Sequence, residues 1–246
     1  MADMHKETLS DAQLAPAGLP VLGMDQVATV TGTISVGAAW DASTKGRGGI
    51  FGMGSKKLGA DLDAAAVLFQ DNDPVTLCVG WDDNYKNPLH GQPGDGSVEH
   101  TGDAITGSEA EHGDDEAVVL HLDRIPAEFH RIVVQVAAFK KKNKAMKDVG
   151  FQGASNVLFT VYDGDSRQNL PGGAEVAPKQ FCIRPSLVGK ENCVIVCVLD
   201  RVIDPQGRPT TSWELRKRKA RVNVEHGNVE KFILAAVAAG DAAQNA

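Results

Sequence analysis

The sequence predicts an all-β fold: an antiparallel β-sandwich of two sheets, with long acidic loops and a C-terminal helix. Three observations lead there. Runs rich in Val, Ile, Thr and aromatic residues recur along the chain with a period of two, as half-buried strands require. Gly, Pro, Asn and Asp cluster between the runs and supply turns. One stretch alone carries a persuasive helical pattern, residues 228–239, and Gly240 follows it as a stop. Many strands joined by turns, with so little helix, is the pattern of a sandwich rather than of βαβ units.

Taken in order, residues 1–26 are polar, contain Pro16 and Pro20, and read as an N-terminal arm; residues 27–246 read as one domain. Residues 27–40 (VATVTGTISVGAAW) alternate as one strand. Residues 45–59 are rich in Gly and Lys and contain no acid, so a flexible loop is expected. Strands are predicted over 60–70 and 76–81. Residues 82–115 read as a long loop, and a loop of that length in a compact domain is usually functional or held by something. Further strands are predicted over 117–122, 131–139, 155–162, 180–183, 193–202 and 213–224. The last carries Arg216, Lys217, Arg218, Lys219 and Arg221 on both faces, which predicts an edge strand. Trp40-Asp41 and Trp81-Asp82 lie near a propeller repeat apart, but no third copy exists, since Trp213 precedes Glu214.

The 246 residues include 25 Lys plus Arg and 32 Asp plus Glu, a net charge of −7. That balance argues against specific nucleic-acid binding. The N-terminal stretch has no apolar segment of signal-peptide type and no long apolar run follows, so a cytoplasmic location is expected. Cys78, Cys182, Cys193 and Cys197 form no CxxC pair and are expected to be reduced and buried.

The acids are unevenly placed. Asp95, Glu99, Asp103, Glu109, Glu111, Asp114, Asp115 and Glu116 fall in one stretch without Lys or Arg. Asp61 and Asp63 sit two apart, so on a strand both carboxylates face one way. Like charges that close raise each other's pKa unless a cation lies between them. The donor types suit Ca²⁺: His90, His100 and His112 have no thiolate and no HxxxH pair for zinc, Mg²⁺ prefers to keep its waters, and no EF-hand loop is present. The competing outcome is an acid-rich loop that is simply solvated.

Four motifs occur in order: Gly37-Ala-Ala-Trp40-Asp41, Ala60-Asp61-Leu62-Asp63-Ala64-Ala65-Ala66, Asp95-Gly-Ser-Val-Glu-His-Thr-Gly-Asp103 and Gly113-Asp114-Asp115-Glu116. Together they resemble the tellurium-resistance TerD-like stress-protein family over about residues 34–162. The resemblance implies a two-sheet sandwich that binds Ca²⁺ in acidic loops, serves tellurite or general chemical-stress resistance, and has no known catalysis. Carried over by position, the implied metal ligands are Asp61, Asp63, Asp103, Asp114, Asp115 and Glu116, with Asp82, Asp83 and Asn84 as amide-rich loop ligands. The chain departs from the family in the longer Ser108-Glu-Ala-Glu-His112 stretch and in the lysines after Phe139.

No G-x-S-x-G elbow or Walker A loop is present, which points to a binding module rather than an enzyme. A hydrolase using Asp61 and Asp63 is the catalytic competitor. A metal-stabilised structural subunit of a larger, phage-related assembly is the other alternative. Expected partners are other stress-response or assembly proteins, or a second copy in a homo-oligomer. Lys140, Lys141, Lys142, Lys144 and Lys147 are either a solvated loop or a peripheral surface for anionic lipid.

Overall fold

The computed structural model of the protein describes residues 19–23, 26–45, 56–58, 61–71, 73–79, 96–102, 114–139, 151, 154–166, 179–183, 192–218, 221–222 and 236. The strands are β1 (Val27–Val30), β2 (Thr33–Lys45), β3 (Lys56–Leu58), β4 (Asp61–Gln70), β5 (Asp73–Val79), β6 (Val98–His100) and β7 (Glu116–His121). They continue as β8 (Phe129–Phe139), β9 (Ala154–Asp163), β10 (Lys179–Ile183), β11 (Cys193–Ile203), β12 (Pro209–Lys217) and β13 (Arg221–Val222). One sheet runs β1-β12-β11-β8-β4-β5, with β13 beside β11; the other runs β10-β9-β2-β7-β6, with β3 beside β2. Every pair of these strands is antiparallel.

The predicted sandwich follows from side-chain alternation. Ile34, Val36, Ala38 and Trp40 of β2 face Leu62, Ala64, Ala66 and Leu68 of β4 within one core, joined by Val118 and Leu120 of β7, Phe159 and Val161 of β9, and Trp213 and Leu215 of β12. Burial of each large apolar side chain contributes about 1.5–3 kcal/mol. On β11 both Val196 and Cys197 join this core. A register shift between Ile195 and Cys197 inserts the extra residue that lets two neighbours point inward. Cys182, Cys193 and Cys197 are buried thiols outside any disulfide, the Cys78 side chain lies outside the described residues, and burial raises the Cys193 thiol to about 12.

The outward register of β4 is apolar too. Ala65, Val67 and Phe69 cluster with Val133, Ile195, Val198 and Ala236. Ala236 is the one described residue of the predicted C-terminal helix; it is helical and fully buried, and the rest of 228–239 lies outside the described residues.

Several elements differ from expectation. The predicted strand 27–40 is two strands in two sheets, because Gly32 takes a φ of 66° and turns the chain across the sandwich. The predicted loop 45–59 begins and ends as a ladder, with Ser43 opposite Leu58 and Lys45 opposite Lys56. The predicted loop 82–115 contains β6, which pairs with β7. The predicted edge strand 213–224 is divided into β12 and β13, and β12 lies between β1 and β11. Its Trp213 and Leu215 face the core, while Glu214 and Arg216 lie on the other face, where Arg216 pairs with Glu214 and with Asp200 of β11. Charges pair laterally on that partly exposed face. The end of the predicted arm is docked: Leu22 is buried, donates its backbone N–H to Cys182 O and follows a Val21–Cys182 bridge to β10.

One end of the sandwich is closed by Arg201. Its Nε donates to Phe129 O at 2.7 Å and Nη1 to Thr210 O at 2.8 Å. Nη2 donates to Ile125 O and Pro126 O, each at 2.9 Å. The guanidinium lies 4.3 Å from the centroid of the Trp213 ring. Its proton affinity is lowered by burial, with Glu128 opposing.

Candidate functional site

The acidic end lies at the other end of β4 and β8, where Ala64 pairs with Val136. Pairing of β5 to β4 begins one residue later, at Ala65 and Val79. The N–H and C=O of one residue in an antiparallel strand point the same way, so both polar groups of Ala64 face the side that β5 no longer covers. Two side chains from the other sheet take them. Glu116 Oε2 accepts the Ala64 N–H at 2.7 Å, and His100 Nε2 lies 3.1 Å from Ala64 O. Glu116 continues the inward register of Val118 and Leu120 and is 1% exposed. Its Oε2 is also 3.5 Å from His100 Nε2.

The tautomer of His100 follows from its contacts. Nδ1 accepts the Gly102 N–H at 3.0 Å, so Nε2 carries the proton and donates to Ala64 O. Thr101 extends the β6–β7 pairing: its Oγ1 accepts the Ala117 N–H at 2.8 Å and its own N–H reaches Ala117 O.

The two residues before Glu116 are anchored on β2. Register shifts between Ala39 and Asp41, where Trp40 stands alone opposite two residues of β9, the bulged strand. Asp115 Oδ2 accepts the Trp40 N–H at 2.8 Å, and the Asp115 N–H donates to Ala38 O at 2.8 Å. Asp114 lies flat on Gly37: a Cβ added there would meet its Oδ2 at 1.9 Å. Gly37 is therefore a close-approach glycine. Tyr162 of β9 hydrogen-bonds to Asp114, and burial first, then the Asp114 charge, pushes its phenol well above the ordinary tyrosine range.

The expected ligands are thus distributed. Asp63 is 5% exposed and belongs to the outward register of β4, in step with Ala65 and Val67. Glu116 points between the sheets, Asp115 bonds the Trp40 N–H of β2 and Asp114 sits on the outward register of β2. Asp61 is the first residue of β4, but its side chain, and all of Asp82, Asp83, Asn84 and Asp103, lie outside the described residues. Among the described residues, no group of three or more His, Cys, Asp or Glu side chains could hold a metal ion. What the fold does bring together is the chain on either side: Glu116 bonds the residue directly after Asp63. A calcium ion, which takes six to eight oxygens, would find here carboxylates already anchored on the sheets and would draw the rest of its donors from the flanking acidic segments. His100, Gly37 and Tyr162 were missed as site residues. The glycine inside a strand and the histidine inside the DGSVEHTGD motif are the signals that could have found two of them.

The TerD domain family model matches residues 23–171. The chain belongs to the TerD domain family. The TerD domain of this chain is 28% identical over 137 residues to General stress protein 16U of Bacillus subtilis, covering 56% of the chain and 62% of that protein. It is 33% identical over 145 residues to Stress response protein SCP2 of the same organism, covering 56% of the chain and 64% of that protein. Tellurium resistance protein TerD of Serratia marcescens is 38% identical over 104 residues, 42% of this chain and 45% of that one. The matches span less than two thirds of each of these relatives. Among solved structures, a homologue of telluride resistance protein (TerD) from Streptomyces coelicolor superposes with a TM-score of 0.52 at 18% identity, over 83% of this chain and 96% of that one, a likeness of fold. No helix of the described residues is long and apolar enough to cross a membrane.

Proposed function

We propose that this TerD-domain protein is a stress-response binding module that takes up Ca²⁺ at its acidic end and performs no catalysis. The observation that carries the reading is the 2.7 Å bond from the Ala64 N–H to Glu116 Oε2, which joins the segment bearing Asp61 and Asp63 to the segment bearing Asp114 and Asp115. Family membership and relatives named for stress response and tellurium resistance support the biological setting.

Asp61, Asp63, Asp103, Asp114, Asp115 and Glu116 would serve Ca²⁺ at more than one position, since Asp63 and Asp114 lie on the outward faces of different sheets, with Asp82, Asp83 and Asn84 supplying loop oxygens. Ca²⁺ would supply positive charge that offsets the repulsion among these carboxylates. The chain's own part is positional. Trp40 holds one Asp115 oxygen, Tyr162 holds Asp114, and Ala64 with His100 hold one Glu116 oxygen. Calorimetric titration with Ca²⁺ and Mg²⁺ tests the reading. Saturable Ca²⁺ binding that weakens strongly in Asp63→Asn supports it; no heat with Ca²⁺ on a folded protein overturns it.

A further inference from the structure

Three arginines meet on the outward face of the β1-containing sheet, away from the acidic end. Arg131 of β8 and Glu214 of β12 are the register partners of Asp200 on β11. Arg131 Nε donates to Asp200 Oδ1 at 2.6 Å, and Arg216 Nη1 donates to Asp200 Oδ2 at 3.2 Å. The other terminal nitrogen of Arg216 pairs with Glu214 Oε2. Both Asp200 oxygens are therefore taken. Arg218 follows two residues after Arg216, just past the end of β12, close enough for the charges of Asp200, Arg216 and Arg131 to act on it. The Nε of Arg218 is buried and has no hydrogen-bond partner among the described residues. The terminal nitrogens of Arg131 have no described acceptor either.

We propose that Arg131, Arg216 and Arg218 form a binding site for a phosphate monoester. Three guanidiniums against two carboxylates leave one positive charge in excess. A buried guanidinium N–H without an acceptor is costly, and an incoming oxyanion relieves it. The terminal nitrogens of Arg131 on β8 and the guanidinium of Arg218 just past β12 approach from different parts of the sheet and call for more than two acceptor oxygens. A carboxylate offers two oxygens in a single plane. A phosphate monoester offers three terminal oxygens and a charge approaching −2 near neutral pH, the chemistry that arginine forks recognise. The site is open to solvent: the side chains of Arg131, Asp200 and Arg216 are 16%, 25% and 30% exposed. The ligand engages Arg218 and the terminal nitrogens of Arg131, while Asp200 stays bridged as it is. This site uses none of the residues assigned to Ca²⁺.

The test is a calorimetric titration of the full chain with inorganic phosphate in EGTA, against chloride at matched ionic strength. Saturable phosphate binding is expected, about tenfold weaker in Arg218→Ala. Arg218→Lys keeps the charge without the fork; it is expected to weaken binding as well, and it serves if the alanine variant misfolds. Asp200→Asn removes the competing carboxylate and is expected to tighten binding several-fold. Phosphate heats equal to chloride, or wild-type affinity in a folded Arg218→Ala or Arg218→Lys protein, overturn the proposal. Vesicle sedimentation separates the sources: capture by phosphatidic-acid vesicles but not by phosphatidylcholine assigns the phosphate to a lipid headgroup, and its absence assigns it to a soluble monoester.

Discussion

The two ends of the sandwich solve the same problem with opposite charges. At one end the buried Arg201 gives its N–H groups to four backbone carbonyls and lies over Trp213. At the other, Glu116 and His100 cover the N–H and C=O of Ala64 where β5 has ended. At the cationic end four of the five Arg201 N–H groups end on backbone carbonyls, while the buried Trp213 Nε1–H has no acceptor among the described residues. The anionic end is arranged differently. Asp115 and Glu116 each accept a backbone N–H and Asp114 meets the Tyr162 phenol, and all three stand where the acidic segment runs into β7. A charged group whose valences close on the backbone serves stability. Carboxylates gathered where an acidic segment joins a strand are the ones we propose for Ca²⁺.

Four substitutions probe this contrast, and thermal or denaturant unfolding measures each. Arg201→Ala should have the largest effect, about 3–5 kcal/mol, because it strands four backbone carbonyls, two in buried bonds and two in part-buried ones, and removes the packing on Trp213; Ca²⁺ affinity should be unchanged. Glu116→Ala leaves the Ala64 N–H without its acceptor and should cost about 2 kcal/mol. It should also weaken Ca²⁺ binding, which would separate it from the arginine variant. Gly37→Ala forces Asp114 off the sheet. About 1–2 kcal/mol of stability should be lost, with a clear loss of Ca²⁺ affinity in titration. Glu99→Gln should matter least. Its contact with His121 is 3.7 Å at a partly exposed site, so about 0.5 kcal/mol or less is expected. Equal Ca²⁺ affinity in the Arg201 and Gly37 variants would erase the distinction between the two ends.

The parts of the fold legible in the sequence are those governed by alternation. β4, β8, β9 and β11 are runs of Val, Ile, Leu, Ala and Phe whose period survives tertiary contact. The crossing at Gly32 was not legible, since Val27 to Trp40 alternates without interruption and only a left-handed φ divides it. β6 is three residues long and pairs through backbone within a Gly-rich polar stretch, so it has no side-chain signature of its own. The charges of β12 suggested an edge because solvent and lateral ion pairs leave the same mark in sequence; Asp200 and Arg131, which complete the pairing, come from other strands. Glu116 was legible as an acid of the Gly-Asp-Asp-Glu motif. Its inward direction was not, because that depends on the Ala38–Glu116 register. The spacing of His100 speaks only against zinc, and its backbone role depends on where β5 stops.

Hydrogen exchange with and without Ca²⁺ tests the contrast most directly. The account predicts that Ca²⁺ slows exchange in the peptides containing Trp40 and Ala64, whose N–H groups bond Asp115 and Glu116, and leaves residues 125–129 beside Arg201 unchanged. Exchange at Trp40 and Ala64 that is indifferent to millimolar Ca²⁺, or protection spread evenly over both ends, would contradict it.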